Sequence, residues 1–119
     1  MSRSSANSIN NLGQVVGTSQ FTDGTVHSFL WTRAKGMQGL EPLPGAFATI
    51  AGCCRTINNH GVIVGFAFDN GGSHAVVWIN KKISDLNARI PSDSGLYLLN
   101  ADSVNDSGEI VGQACVLPE

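Results

Sequence analysis

The amino-acid sequence predicts an all-β fold made of antiparallel four-stranded meanders that repeat about every 47 residues. One observation is a phrase, INNLGQVVG from Ile9, which returns as INNHGVIVG from Ile57 and as VNDSGEIVG from Val104. The other is a strand-like phrase, HSFLW from His27, which returns 47 residues later as HAVVW from His74. Because phrases of different composition keep one period, the chain is predicted to be built from structural repeats.

Size and composition agree with one domain of short strands and narrow the range of partners. The chain has 119 residues, the length of a single domain, and its 14 glycines favour many tight turns. Seven basic and nine acidic residues give a net charge of -2 without a dense basic run, which argues against a nucleic-acid partner. The longest charge-free apolar run, GVIVGFAF, is too short to cross a bilayer, so no membrane insertion is predicted.

Each INN phrase is predicted to hold a tight turn between two strands. An asparagine at the first turn position can accept a hydrogen bond from the backbone two residues on, and a glycine three residues later can adopt the positive φ that closes a hairpin. The asparagines are Asn10, Asn58 and Asn105. The glycines are Gly13, Gly61 and Gly108. The alternative, in which the asparagines contact a ligand, stays open at this point.

Two strands, VIVGFAF and AVVW, are predicted to be buried on both faces. The turn leads into QVVG, VIVG or EIVG, a Gly/Asp-rich connection follows, and HSFLW or HAVVW forms the next strand. A further turn leads to GMQGL or KISDL. Neither VIVGFAF nor AVVW alternates apolar with polar residues, as a strand with one wet face would. This pattern favours β-propeller-like blades packed face to face over a sandwich.

The repeats divide the chain into two whole units and a half. The whole chain, residues 1–119, is predicted to be a single repeat domain, with units at about 5–41 and 52–87 and a half unit at about 100–117. Two Pro-containing segments, EPLPGAF and ARIPSDSG, are predicted to carry the chain from one unit to the next. The chain therefore holds about two and a half blades.

The unit resembles the HAF repeat family, which is named for a His-Ala-Phe triplet and associated with extracellular bacterial proteins. The similar stretches are SANSINNLGQVVG with HSFLWTRAKGMQGL, and RTINNHGVIVG with HAVVW. Ser28 replaces the alanine of the first triplet and Val76 replaces the phenylalanine of the second. The resemblance implies β-propeller-like blades and an exported parent protein, and it implies no catalytic residue.

Two sets of residues are candidates for ligand binding. Asn7, Arg55 and Asp102 occupy equivalent positions in the first strand of each unit, and this position varies among polar types while its neighbours repeat. In a propeller the first strand lines the central channel, so the three could contact a ligand there; the alternative is a solvated face. Trp31 and Trp78 end equivalent strands, where an indole either packs between blades or stacks on a sugar ring.

The remaining polar residues predict structural roles and no cofactor. His27 and His74 open equivalent strands, and each is expected to bond a turn backbone, since no His/Cys/Asp set with metal-ligand spacing accompanies them. Three cysteines do not suggest a disulfide framework, and Cys54, which aligns with Ala6 and Ala101, is predicted to be core filler. No nucleophile elbow, phosphate-binding loop or His-Glu-x-x-His motif is present, so no catalytic residue is proposed.

The function predicted from these features is a non-enzymatic β-repeat module for binding or assembly, with a glycan or a protein as ligand. The alternative is a small hydrolase or isomerase whose site lies at the subunit seam and uses Arg55, Asp102 and a histidine. Because a half unit leaves apolar strands uncovered, the expected partner is a second copy of the chain, most simply in a dimer that shares about five blades. The first residues, MSRSSANSINN, lack the apolar core of an export signal, and the compartment is left open.

Overall fold

The computed structural model describes residues 3–52 and 55–118, and within these ranges the protein is all-β. Cys53 and Cys54 lie outside the described residues, and with them the prediction made for Cys54. No helix in the described ranges is long and apolar enough to cross a lipid bilayer. The strands are β1 (Arg3–Ile9), β2 (Val15–Gln20), β3 (Val26–Thr32), β4 (Gly36–Gly39), β5 (Ala48–Ala51), β6 (Ile63–Asp69), β7 (Gly72–Ile79), β8 (Lys82–Asp85), β9 (Leu96–Val104) and β10 (Ile110–Val116). A 3₁₀ turn at Leu86–Arg89 follows β8.

The strands pair in chain order, and nearly all pairs are antiparallel. Strands β1 to β4 form the first meander, β5 to β8 form the second meander, and β9 and β10 form a separate hairpin. The predicted all-β, antiparallel fold is therefore confirmed. The first strands of the second and third repeats begin at Ala48 and Leu96 rather than near residues 52 and 100.

The two meanders are joined by backbone hydrogen bonds as well as by side-chain packing. Strand β5 lies parallel to β3 at the pair Val26 and Ala48, which links both meanders into one eight-stranded sheet. The segment before β5 makes this link, because the Phe47 carbonyl accepts from Val26 N while Phe47 N donates to the Phe68 carbonyl. The described residues close into neither a barrel nor a propeller ring.

Two apolar clusters fill the junctions between successive repeats. In the first, Val16 and Leu30 of the first meander pack with Ile57 and Trp78 of the second. The second cluster includes the equivalents of Val16, Leu30 and Ile57 one repeat later. Its buried members are Val64, Ala75 and Val77 of the second meander with Ala101 and Val104 of the hairpin β9–β10. Burial of about 25 cal/mol per Å² of apolar surface makes these junctions the main stabilising contacts of the fold.

The turns of the INN phrases have the predicted chemistry. Positive φ angles of 77°, 81° and 84° occur at Gly13, Gly61 and Gly108. The side-chain oxygen of Asn10 accepts from Leu12 N at 3.0 Å, and that of Asn58 accepts from the backbone N two residues on at 2.9 Å. The turn assignment of the asparagines and glycines is therefore confirmed, because the local sequence alone dictates it.

A second set of glycines lies in the second strand of each repeat, directly after two apolar residues. These glycines allow the first and second strands of each repeat to approach closely. A Cβ atom at Gly65 would overlap the carbonyl oxygen of Ile50 on the neighbouring strand. The same overlap with the facing strand would occur at the two equivalent glycines, Gly17 and Gly112. Only glycine fits there, which explains why this position repeats as faithfully as the turn glycine.

Candidate functional site

The three INN turns lie next to one another, and each turn bonds the next through its asparagine side chain. The Nδ2 of Asn10 donates to the carbonyl oxygen of Asn58 at 2.9 Å. One repeat later, the Nδ2 of Asn58 donates to the carbonyl oxygen of Asn105, also at 2.9 Å. The same amide group therefore connects successive repeats, while its oxygen closes the turn.

A second row of hydrogen bonds runs beside the first through the next residue of each turn. The backbone N of Asn11 donates to Oδ1 of Asn59 at 2.8 Å. Asn59 in turn donates through its backbone N and its Nδ2 to the two carboxylate oxygens of Asp106, both at 2.8 Å. These bonds, with that from the Asn59 backbone the largest cause, hold the pKa of Asp106 below its ordinary value.

We call these two rows the asparagine ladder. Its members are Asn10, Asn58 and Asn105 in one row and Asn11, Asn59 and Asp106 in the other. The tight turns require an asparagine at the positions of the first row. They do not require an amide or a carboxylate at the positions of the second row. The repeated polar residue after the turn asparagine is therefore a sequence signal for contacts between repeats, which the turn prediction left out.

A polar cleft of about 410 Å³ opens where the ladder turns meet. Arg55 lines this cleft together with the turns and with the apolar residues Ile9, Ile57 and Val104. The backbone of Arg55 has a φ of 64°, and its carbonyl oxygen accepts from the Val104 backbone N at 3.0 Å. Among the described residues its guanidinium has no hydrogen-bond or ion-pair partner, so the cleft offers an accessible cation beside amide groups.

The structure does not bring Asn7 and Asp102 to this cleft with Arg55. Asn7 lies at an irregularity of β1 between Ala6 and Ser8, where it has no partner on β2. Asp102 lies at the equivalent irregularity of β9 and is exposed. A β-bulge turns its extra residue out of the regular alternation of side chains. Asn7 and Asp102 are such extra residues, whereas Arg55 lies outside a strand, so the three side chains need not contact the same ligand. Of the three predicted contacts, the cleft contains Arg55 alone.

The two equivalent tryptophans differ in their surroundings. Trp78 is 0 % exposed, and its indole Nε1 donates to the Glu41 carbonyl at 2.8 Å inside the junction between the meanders. Its ring cannot stack on a sugar, so the ligand role considered for Trp78 is corrected to packing. Trp31 is 39 % exposed because no described strand packs over it, and it does not line the cleft.

A separate network of titratable groups centres on His74, which has two acidic partners. Nε2 of His74 lies 2.8 Å from Oδ2 of Asp69, and its Nδ1 lies 3.0 Å from Asp85 and 2.7 Å from the Tyr97 hydroxyl. The bond from His74 is the largest cause that lowers the pKa of Asp69, and burial is the largest cause that raises the pKa of Tyr97. This network connects β6, β7 and β8 to β9.

The histidines therefore bond side chains, and the expectation that they bond turn backbone is wrong. His27 confirms this pattern, because its Nε2 lies 3.1 Å from the Thr25 hydroxyl. No histidine is hydrogen-bonded to Arg55 or Asp102 in the described part of the chain. The enzymatic alternative, which places its site at a subunit seam, stays a prediction. Within the same ranges no three His, Cys, Asp or Glu side chains are arranged to hold a metal ion.

The outer side of the first meander is an uncovered copy of a buried surface. Ile9 is 64 % exposed, whereas its equivalents Ile57 and Val104 are 4 % and 5 % exposed. Trp31 is likewise more exposed than its equivalent, Trp78. The two equivalents of Ile9 are buried because the preceding repeat packs on them. We call the surface that carries Ile9 and Trp31 the leading face.

The hairpin β9–β10 carries the opposite uncovered surface. Val111 is 63 % exposed, whereas its equivalents Val16 and Val64 are fully buried because the first strand of the next repeat covers them. Strand β10 is exposed along nearly its whole length, whereas the equivalent strand β6 is mostly buried. We call the surface that carries Val111 the trailing face.

Comparison with known proteins adds no relative to this picture. No family model matches the chain, and no curated protein or solved structure is significantly similar to it.

Proposed function

We propose that the chain is a non-enzymatic β-repeat module that works by stacking repeats and that assembles through its two uncovered faces. Each meander is treated as one propeller-like blade and the hairpin as half a blade, in keeping with the resemblance to HAF repeats. The proposal assigns the chain a structural or binding role, with the leading and trailing faces as the working surfaces.

One observation carries the proposal: a single type of junction occurs twice inside the chain, and both halves of a third copy are exposed. The first junction pairs Val16 with Ile57, and the second pairs Val64 with Val104. Val111 and Ile9 are the corresponding halves that remain uncovered. Exposed apolar surface that is buried elsewhere in the same fold is typical of an interaction site.

The oligomeric state in solution tests the proposal. We expect static light scattering of the purified protein at micromolar concentration to give a mass above that of one 12.5 kDa chain, most simply that of a dimer. A monodisperse monomer over the whole concentration range would remove the assembly role.

A second candidate function is the binding of a polar ligand, a glycan or a segment of protein, in the cleft of the asparagine ladder. The observation that favours it is the accessible Arg55 guanidinium, which has amide groups around it and no partner among the described residues. Arginine and amide side chains recognise hydroxyl and carboxylate groups well.

A glycan array with labelled protein tests the cleft. We expect the Arg55→Ala variant to lose any binding that the wild-type protein shows. Arg33→Ala is the matched control, because Arg33 is exposed and lies outside the cleft. Equal loss in both variants, or binding that survives Arg55→Ala, would remove the cleft as the ligand site.

A further inference from the structure

We infer that the partner of the trailing face is the leading face of a second copy of this chain, bound head to tail so that the asparagine ladder continues across the contact. In this arrangement Asn105 Nδ2 donates to the carbonyl oxygen of Asn10 of the second copy. The backbone N of Asp106 donates to Oδ1 of Asn11 of the second copy. The inference rests on the proposed assembly role and specifies its partner and its register.

The hydrogen-bonding groups needed for this contact are available at both ends. Nδ2 of Asn10 uses both hydrogens, one to Gln14 Oε1 at 2.6 Å and one to Asn58 O. Nδ2 of Asn105 donates to the side chain four residues on, Glu109 Oε1, at 2.8 Å. Its other hydrogen has no acceptor within the described chain. The unused donor therefore lies at the position from which the ladder would continue.

The second row of the ladder leaves a matching acceptor at the other end. The side-chain oxygens of Asn59 and Asp106 each accept from the backbone of the preceding repeat. Asn11 is the equivalent residue of the first repeat, and its Oδ1 accepts from no described residue. In the head-to-tail contact, the Asp106 backbone N of one copy donates to the Asn11 Oδ1 of the other.

The apolar parts of the two faces match in the same register. When the ladder continues, Ile9 of the second copy comes to Val111, as Ile57 comes to Val16 and Val104 to Val64 within the chain. Both side chains are about two-thirds exposed in the isolated chain. Burial of apolar surface supplies most of the affinity, because a hydrogen bond that replaces bonds to water contributes only about 1 kcal/mol.

The contact is heterologous, since different surfaces of the two chains meet. This distinguishes it from the alternative, a symmetric contact between two copies of β10. The free edge of β10 could also pair with β10 of a second copy in a two-fold symmetric sheet. A symmetric contact uses one surface twice, whereas a head-to-tail contact uses two surfaces once each. Variants that disable one face at a time therefore distinguish them.

Mixing two disabled variants is the decisive experiment. Ile9→Asp removes the leading face and Val111→Asp removes the trailing face, and both sites are exposed, so each chain should fold with an unchanged circular dichroism spectrum. We expect each variant alone to sediment as a monomer at concentrations where the wild-type protein assembles. An equimolar mixture should form a 1:1 dimer, because one intact leading face meets one intact trailing face.

The possible failures are distinguishable. If the wild-type protein assembles but either variant alone assembles equally well, or the mixture stays monomeric, the head-to-tail register is wrong while the assembly role stands. If the wild-type protein is a monomer, both the inference and the proposed function fall.

A polar variant tests the ladder itself. Asn11→Ala removes the matching acceptor without removing a side-chain hydrogen bond to any described residue. We expect it to raise the dissociation constant of the assembly about five-fold, as the loss of one hydrogen bond does. Asn70→Ala is the matched control, because Asn70 is an exposed turn residue outside the ladder. An unchanged constant for Asn11→Ala would overturn the ladder contact.

Discussion

At the scale of single residues, the glycines of the repeat meet two different requirements. Gly61 closes a turn at a φ of 81° and has open space where a Cβ would lie. Gly65 has an ordinary φ, but a Cβ there would overlap the neighbouring strand. The first glycine is required by the backbone conformation and the second by the distance between two strands.

The turn glycine should be sensitive to β-branched residues. We expect Gly61→Val to lower the free energy of unfolding by about 1–3 kcal/mol, because a β-branched side chain resists positive φ. Urea denaturation measures the change. Gly39→Val is the control, because Gly39 also has open space around it and lacks a positive φ. Equal effects in the two variants would contradict a conformational cause.

The strand glycine should tolerate no side chain at all. Gly65→Ala should cost about 3 kcal/mol or more, because the added methyl group pushes β5 away from β6 and breaks part of their ladder of hydrogen bonds. Thermal denaturation measures the loss. A melting temperature within one degree of the wild-type value would mean that the strands separate at little cost.

Asp106 makes stability depend on pH. Its pKa is lowered in the folded protein, so it contributes stability that is present above its unfolded value of about 3.9 and is lost as pH falls through the folded value. Asp106→Asn should therefore show a smaller fall in melting temperature between pH 5 and pH 2.5, while Asp23 and Asp69 still titrate in both proteins. Identical pH profiles would show that the Asn59 bonds do not stabilise the carboxylate.

At the scale of elements, the hairpin β9–β10 is attached to the second meander by a few polar contacts beside its apolar cluster. The Tyr97 hydroxyl lies 2.7 Å from Nδ1 of His74, and the Ser73 hydroxyl donates to the Leu99 carbonyl at 2.6 Å. An element with one uncovered face depends on such contacts more than a strand covered on both sides.

Removing one of these contacts should loosen the hairpin selectively. We expect Tyr97→Phe to increase amide hydrogen exchange in β9 and β10 by a factor of about five, the equivalent of one hydrogen bond, with β2 and β3 unchanged. Cys115→Ser, an exposed change on the same hairpin, is the control. A uniform increase over all strands would point to global destabilisation instead.

At the scale of the whole molecule, assembly and folding stability should be linked. A partner that binds only the folded chain stabilises it by mass action, so the melting temperature should rise with protein concentration. Scanning fluorimetry at 1 µM and 100 µM measures the effect. The Ile9→Asp variant, which lacks the leading face, should show no such rise. A wild-type melting temperature independent of concentration would contradict coupled assembly.

The sequence alone predicted the features that depend on a few neighbouring residues. The period, the strands and the turns at Asn58 and Gly61 follow from local backbone preferences, which act before any long-range contact forms. The buried strand β6 was also predictable, because a continuous apolar run needs cover on both faces.

The tertiary structure decided which equivalent positions share an environment. Trp31 and Trp78 are alike in sequence, yet one is exposed and the other buried, because the described residues of the first meander pack on Trp78. Asn7 and Asp102 lie at equivalent irregularities of β1 and β9, whereas Arg55 has a positive φ outside any strand. The bond from Asn10 to the Asn58 turn joins residues 48 positions apart. A local pattern specifies a turn, but only the stacking of one repeat on the next determines what that turn contacts.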